Sequence, residues 1–247
     1  MPRARLLAVA LAACAILPAS ATGAASARMS VAVTPEHLGA PTTISFGFQI
    51  GQDDAPIAPL TGVELAYPRN LGLATSGLGL VACAPTQLEA LGPAACPADS
   101  QMGYGNAVAH IRFGLEVVEE AVQLALFAAP SPDGYLHMFI YARGRVPVQA
   151  ALVLRATLLA GHLAVTIPPI PSLPEAPYVS VTEMHLTLGG ALIYYETVKG
   201  RRVAYHPAGV GLPSTCPRGG FRFAATFILL DGERVSSHAV VACPRRR

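Results

Sequence analysis

The sequence predicts an all-β protein, an antiparallel β-sandwich of Ig-like or jelly-roll type with roughly ten to twelve strands. Three observations lead there. Short apolar segments alternating with period two recur between Gly, Pro, Asn and Asp punctuation. Four cysteines, Cys83, Cys96, Cys216 and Cys243, form two local pairs suited to structural disulfides. No low-complexity linker, charge block or repeat divides the 247 residues.

The first 27 residues read as a signal peptide. Arg3 and Arg5 precede an apolar run, Leu6 to Leu17, that is too short to span a bilayer comfortably. Two Ala-x-Ala sites follow, Ala19-Ser20-Ala21 and Ala25-Ser26-Ala27. A boundary after Ala27 leaves 28–247 as a single β-sandwich domain. Leu11-Ala12-Ala13-Cys14 resembles a bacterial lipobox and would place a lipid anchor on Cys14. The apolar run continues past it to Leu17, which favours an ordinary leader cysteine.

The strands follow. Ile44, Phe46, Phe48 and Ile50 alternate cleanly and are predicted to face a core. Gly51-Gln52-Asp53-Asp54-Ala55-Pro56 is a turn, after which Val63, Leu65 and Tyr67 alternate up to Pro68. Leu136, Met138 and Ile140 line one face of another strand, with Tyr135, His137, Phe139 and Tyr141 on the other. Two apolar faces predict a central strand. Leu163, Val165 and Ile167 precede the Pro168-Pro169 break. Between Tyr178 and Leu188, Met184, Leu186 and Leu188 face inward while Glu183, His185 and Thr187 face out. Phe221, Phe223, Phe227 and Leu229 run to Asp231-Gly232, a hairpin-turn signal, and a strand over Val235–Val241 returns to Cys243. Two stretches carry helical character. Pro85–Leu91 predicts a short turn of helix, and Val146–Leu159 is apolar enough to resemble a buried helix. Arg155 inside that second stretch argues against a membrane span, because a mid-bilayer Arg costs roughly 2.5–3.5 kcal/mol. No transmembrane span is expected, and the Pro-Arg-Arg-Arg terminus does not suit an outer-membrane barrel.

The preferred disulfide connectivity is within each local loop, although four cysteines allow three pairings. Their spacing has none of the Cys-x2–4-Cys clustering of zinc sites, and Cys-x-x-Cys redox spacing is missing too. The chain has 17 Lys+Arg, of which only Lys199 is lysine, and its Ala, Gly, Pro and Arg usage suggests a GC-rich bacterial genome. Without Arg3 and Arg5 the basic and acidic residues balance at 15 each, so nucleic acid is not an expected partner.

Chemistry candidates are few. The seven histidines, His37, His110, His137, His162, His185, His206 and His238, show no His-x-His or His-x3-His spacing. Glu183 and His185 share a strand face, a pairing more often solvated than catalytic. No Gly-x-Ser-x-Gly occurs, and Thr75-Ser76-Gly77 lacks the first Gly. Asp53-Asp54 and Glu119-Glu120 are the close carboxylate pairs; a turn pair can hold Ca²⁺ but is usually a polar loop tip. Gly103-Tyr104-Gly105-Asn106-Ala107 lacks the Lys and the βαβ context of a phosphate loop. These patterns predict no cofactor, no metal and no catalytic residue. The candidate binding surface is the row Tyr135, His137, Phe139 and Tyr141. Exposed, it would make a stacking platform for a glycan or an envelope protein; covered, it is core. The lack of tryptophan weakens the glycan reading. Arg245-Arg246-Arg247 reads as a solvated tail.

One pattern resembles a known group. Cys83 is followed by Cys96-Pro97-Ala98-Asp99-Ser100-Gln101-Met102-Gly103-Tyr104-Gly105-Asn106-Ala107. Later come His206-Pro207, Cys216-Pro217-Arg218-Gly219-Gly220, Phe227, Asp231-Gly232 and Cys243-Pro244. Together these resemble uncharacterised secreted proteins of actinobacteria and related GC-rich bacteria. The group shares a Cys-Pro-x-x-Ser-x-x-Gly-x-Gly-x-Ala element and a terminal Cys-Pro-x-Gly-Gly … Asp-Gly … Cys element. The resemblance covers most of the chain from Thr43 onward, and Met102 and Tyr104 depart from the smaller or aliphatic residues usual there. It implies an exported β-sandwich with two disulfides and supplies no catalytic residues.

The functional expectation is an exported, non-enzymatic protein of the cell envelope or extracellular space, acting by binding or scaffolding. Two alternatives stand beside it. One is a secreted hydrolase with a triad assembled from loops. The other is a carrier of an apolar ligand between the sheets, suggested by a 52% hydrophobic composition.

Overall fold

A computed structural model describes residues 24–53, 56–72, 77–113, 116–146, 149–170, 179–189 and 192–244. Arg3, Arg5, Cys14, Asp54, Thr75-Ser76, Tyr178 and Arg245–Arg247 lie outside the described residues. The fold is all-β and antiparallel, as the alternation predicts. A twelve-stranded sheet is assembled from β1 (Ser26–Thr34), β2 (Pro41–Gly51), β3 (Leu60–Ala66), β4 (Gln101–Phe113), β5 (Glu116–Ala129), β6 (Leu136–Gly144), β7 (Ala150–Leu159), β8 (His162–Thr166), β9 (Ser180–Leu188), β12 (Val210–Gly211), β13 (Phe221–Leu229) and β14 (Arg234–Val241). A separate ribbon pairs β10 (Tyr194–Val198) with β11 (Arg201–Tyr205).

Strands β4 to β8 form a meander, as consecutive hairpins do. The sheet then leaves sequence order, running β1-β2-β9 on one flank of the meander and β3-β13-β14 on the other, with β12 added to β2. It rolls until its edges, β1 and β14, lie alongside each other, so the two walls of the sandwich are one nearly closed sheet. The Ala25 amide donates to Glu233 Oε1 at 3.1 Å across that seam. Rolling in this way shields the strand edges that an open sheet leaves unpaired.

Side chains at alternate positions point into the enclosed space. Phe46, Phe48 and Ile50 of β2, Leu126 of β5, Met138 and Ile140 of β6 and Phe227 of β13 are buried in one cluster. The Phe48 and Phe227 rings meet at 4.7 Å between centroids, and each such side chain contributes about 1.5–3 kcal/mol by leaving water. Val165 and Ile167 join from the β8 segment and Leu186 from β9, all on the faces their alternation assigns. The Asp231-Gly232 hairpin sets Phe221 opposite Val241, bringing Cys243 to the start of β13. Cys216 and Cys243 are bonded there, with Cα atoms 5.8 Å apart. Cys83 and Cys96 are also bonded, with α1 (Pro85–Leu91) between them where the short helical turn is expected. Both disulfides sit at the same end of the rolled sheet, beside the C-terminal ends of β5 and β14.

One expectation changes. Within the described residues of the Val146–Leu159 stretch there is strand and no helix: β7 occupies Ala150–Leu159 and pairs with both β6 and β8. Its β-branched and alternating residues fit a pleated, half-buried surface better than a helix face. Strand β1 starts at Ser26 and pairs Ala27 with Ile50.

The Gly103-Tyr104-Gly105 segment is strand rather than phosphate loop. Both glycines pair with β9, and a Cβ on either would overlap a β9 carbonyl oxygen, that of Thr187 or of His185. The sheet bends so closely there that only hydrogen fits. Ser100, fully buried, closes the preceding 3-10 turn by donating to the Pro97 carbonyl at 2.6 Å.

Candidate functional site

Because the sheet is rolled, its inward parity defines an interior, and that interior is incompletely filled. One chamber of about 120 Å³ lies toward the disulfide end, among Ile44, Leu65, Leu158, Leu163, Val210 and Phe223. A second, about 140 Å³, lies toward the opposite end, among Ile111, Glu120, Val122, Ala142, Leu152 and Val179. Ile140, Leu154, Ile167 and Met184 line both, so the two chambers share a wall along the barrel axis. Each is comparable to an apolar cavity of about 150 Å³, a size that stays dry and takes up benzene or xenon.

Polar groups on these walls are scarce. Tyr67 borders the first chamber, but its hydroxyl donates to the Leu159 carbonyl at 2.7 Å. Burial pushes the Tyr67 phenol above its usual pKa, partly offset by a backbone hydrogen bond. Glu120 borders the second chamber and differs. It is 4% exposed, and its Oε1 has no hydrogen-bond partner. It pairs across from Ala109 at an inward position of β5, while its neighbour Glu119 faces out toward His110 at 3.4 Å. The Glu119-Glu120 pair is therefore split across the two faces of the sheet.

The signal for Glu120 was present in the chain. Val118, Val122, Leu124 and Leu126 alternate through β5, and Glu120 occupies the one position of that row where an apolar residue is due. Alternation marks the position as inward only once β5 is recognised as a strand.

The aromatic row is mostly covered. Phe139 and Tyr141 are buried on the outer face of β6 under the Cys83–Cys96 loop, in a cluster with Leu88 and Phe127. Arg155 of β7 lies 6.0 Å over the Phe139 ring. Tyr135 is exposed and His137 half-buried, so the row forms no continuous platform. His137 is instead clamped. Its Nε2 donates to Asp133 Oδ1 at 2.7 Å, and its Nδ1 lies 3.1 Å from Thr157 Oγ1. With the proton on Nε2, a neutral ring leaves Nδ1 to accept from the Thr157 hydroxyl.

An acid, an imidazole and a hydroxyl in series have the order of a nucleophilic relay. Here the hydroxyl stands mid-strand, paired with His137 on one side and Ala164 on the other. Backbone N–H groups around it are taken up in those ladders, which leaves none to polarise a substrate carbonyl. The chain ties the loop before β6 to β6 and β7. The His137 hydrogen bond holds the Asp133 carboxyl below the usual range.

The remaining candidates stay apart. Glu183 Oε1 and His185 Nε2 are 3.0 Å apart on the outer face of β9, next to Gln49, and Ser30 of β1 approaches the same imidazole across Gly47 of β2. Among the described residues, no three His, Cys, Asp or Glu side chains cluster as a metal site would require. No protein-family model, curated protein or solved structure matches this chain.

Proposed function

We propose that the protein is an exported binding protein that carries an apolar ligand inside its rolled sheet. The observation that supports this reading is the pair of apolar chambers, about 120 and 140 Å³, sharing one wall in the interior. Protein cores are normally packed with few voids larger than a water, so adjoining apolar chambers indicate retained space. Ligand pockets are apolar enclosures with very few polar groups, which describes this interior. The leader and the two disulfides are compatible with work in an oxidising compartment. A scaffold role at the aromatic row has less support, because Phe139 and Tyr141 are already buried against the protein's own loop.

The test is uptake of N-phenyl-1-naphthylamine, an apolar dye that fluoresces when removed from water. Saturable fluorescence with the folded, oxidised protein, displaced by dodecane, is the expected result. At a hundredfold excess over Kd the bound dye should stabilise the fold by about 2.7 kcal/mol. Fluorescence that does not saturate, or that is unaffected by dodecane, would overturn the reading.

A further inference from the structure

We infer that Glu120 is the head-group receptor of the second chamber, and that the ligand is a long-chain amphiphile whose head donates hydrogen bonds. This inference rests on the carrier reading and names its ligand class. A purely apolar cargo would need no carboxyl on the wall, yet Glu120 is buried there with Oε1 unpartnered. Buried polar atoms are almost always satisfied, so an unpaired carboxyl oxygen inside an apolar chamber points to a donor brought by a ligand.

The position suits an amphiphile. Ladder pairing between β5 and β6 stops at Val122–Gly144, and that between β4 and β9 stops at His110–Ser180. Glu120 is the next inward residue beyond Val122, so it stands just inside the rim. Beyond it, Ile140, Leu154, Ile167 and Met184 form the wall shared with the first chamber. Between Glu120 and Leu126, which borders the first chamber, β5 advances about 20 Å, the reach of a long alkyl chain. Head at the rim and tail inward is the arrangement that keeps the polar end nearest water. An alcohol and an amine share the required chemistry. An ammonium would in addition balance an ionised carboxyl.

The experiment displaces the same dye from the full-length folded protein with four competitors built on a twelve-carbon chain: dodecane, methyl laurate, 1-dodecanol and dodecylamine. The first two cannot donate. Wild type should be displaced by the alcohol or the amine at concentrations about tenfold lower than by methyl laurate, as one hydrogen bond to a charged group implies. Glu120→Leu should keep dye uptake and lose that preference. It should also melt no lower than wild type, since it removes an unpartnered buried group. Glu120→Gln should keep the preference for the alcohol and lose any advantage of the amine. Equal displacement by all four competitors, or an unchanged ranking in Glu120→Leu, overturns the Glu120 assignment and leaves the carrier reading standing. Failure of dodecane to displace the dye from wild type overturns both.

Discussion

At the scale of single residues, two acids differ in what they meet. Asp133 is solvent-facing, and its hydrogen bond to His137 favours the ionised form. Its folded-state pKa is depressed, so its contribution to stability is present above the ordinary carboxylate value of about 3.9 and is lost as pH falls through the lowered value. Thermal melts of wild type and Asp133→Asn should therefore differ at neutral pH and converge below about pH 4. A constant difference across that range would contradict the assignment. Glu120 has no such partner, and only its place in the β5 alternation distinguishes it from Glu119 in the sequence. Alternation shows which face a residue occupies. Whether that face carries a partner depends on strands distant in the chain.

At the scale of elements, the Cys83–Cys96 loop acts as an outer clasp. Leu88 of α1 is fully buried against Phe127, Phe139 and Tyr141, and the Cys83 amide donates to the Ala128 carbonyl at 2.9 Å. Replacing both cysteines by serine should cost about 3 kcal/mol by the loop-entropy account. It should also expose Tyr141, read as faster amide exchange across β5 and β6 at the disulfide end. Dye uptake into the interior should persist, because the loop covers the outer face and the chambers open on the inner one. Loss of uptake in this variant would show that the clasp also supports the chambers. The short helix and both disulfide pairings are legible in the sequence because each is local: a proline-started turn and cysteines closing loops of modest length. By contrast, β7 is misread from its composition, since a continuous apolar run looks the same in a buried strand and a buried helix. Its pairing with β6 and β8 decides the matter.

At the scale of the molecule, rolling the sheet turns one set of alternate residues into an interior. A larger side chain should enter the second chamber without strain. Ala142 borders that chamber. Ala142→Leu should leave stability unchanged or raise it by up to about 1 kcal/mol, whereas the same change in a filled core costs about 1–3 kcal/mol. It should also reduce dye capacity. Urea denaturation and dye titration of the one variant measure both, and a destabilised variant with intact uptake would place the ligand elsewhere.

The sequence by itself determined the fold class, the core-facing residues of β2 and β9, the two-faced alternation of β6, β8 and β13, the terminal hairpin and the two local staples. Each depends on residues a few positions apart, through side-chain alternation, turn conformation or short-loop closure. Tertiary structure alone decided that β9 lies between β2 and β4, that β3 lies between β8 and β13, and that the edges meet. Those pairings join segments more than fifty residues apart, where local pattern is equally compatible with many partners. From them come the apolar chambers, the covered face of Phe139 and Tyr141, and the buried carboxyl of Glu120. The physical reason is that strand alternation fixes two faces, while only closure of the sheet determines which face is enclosed.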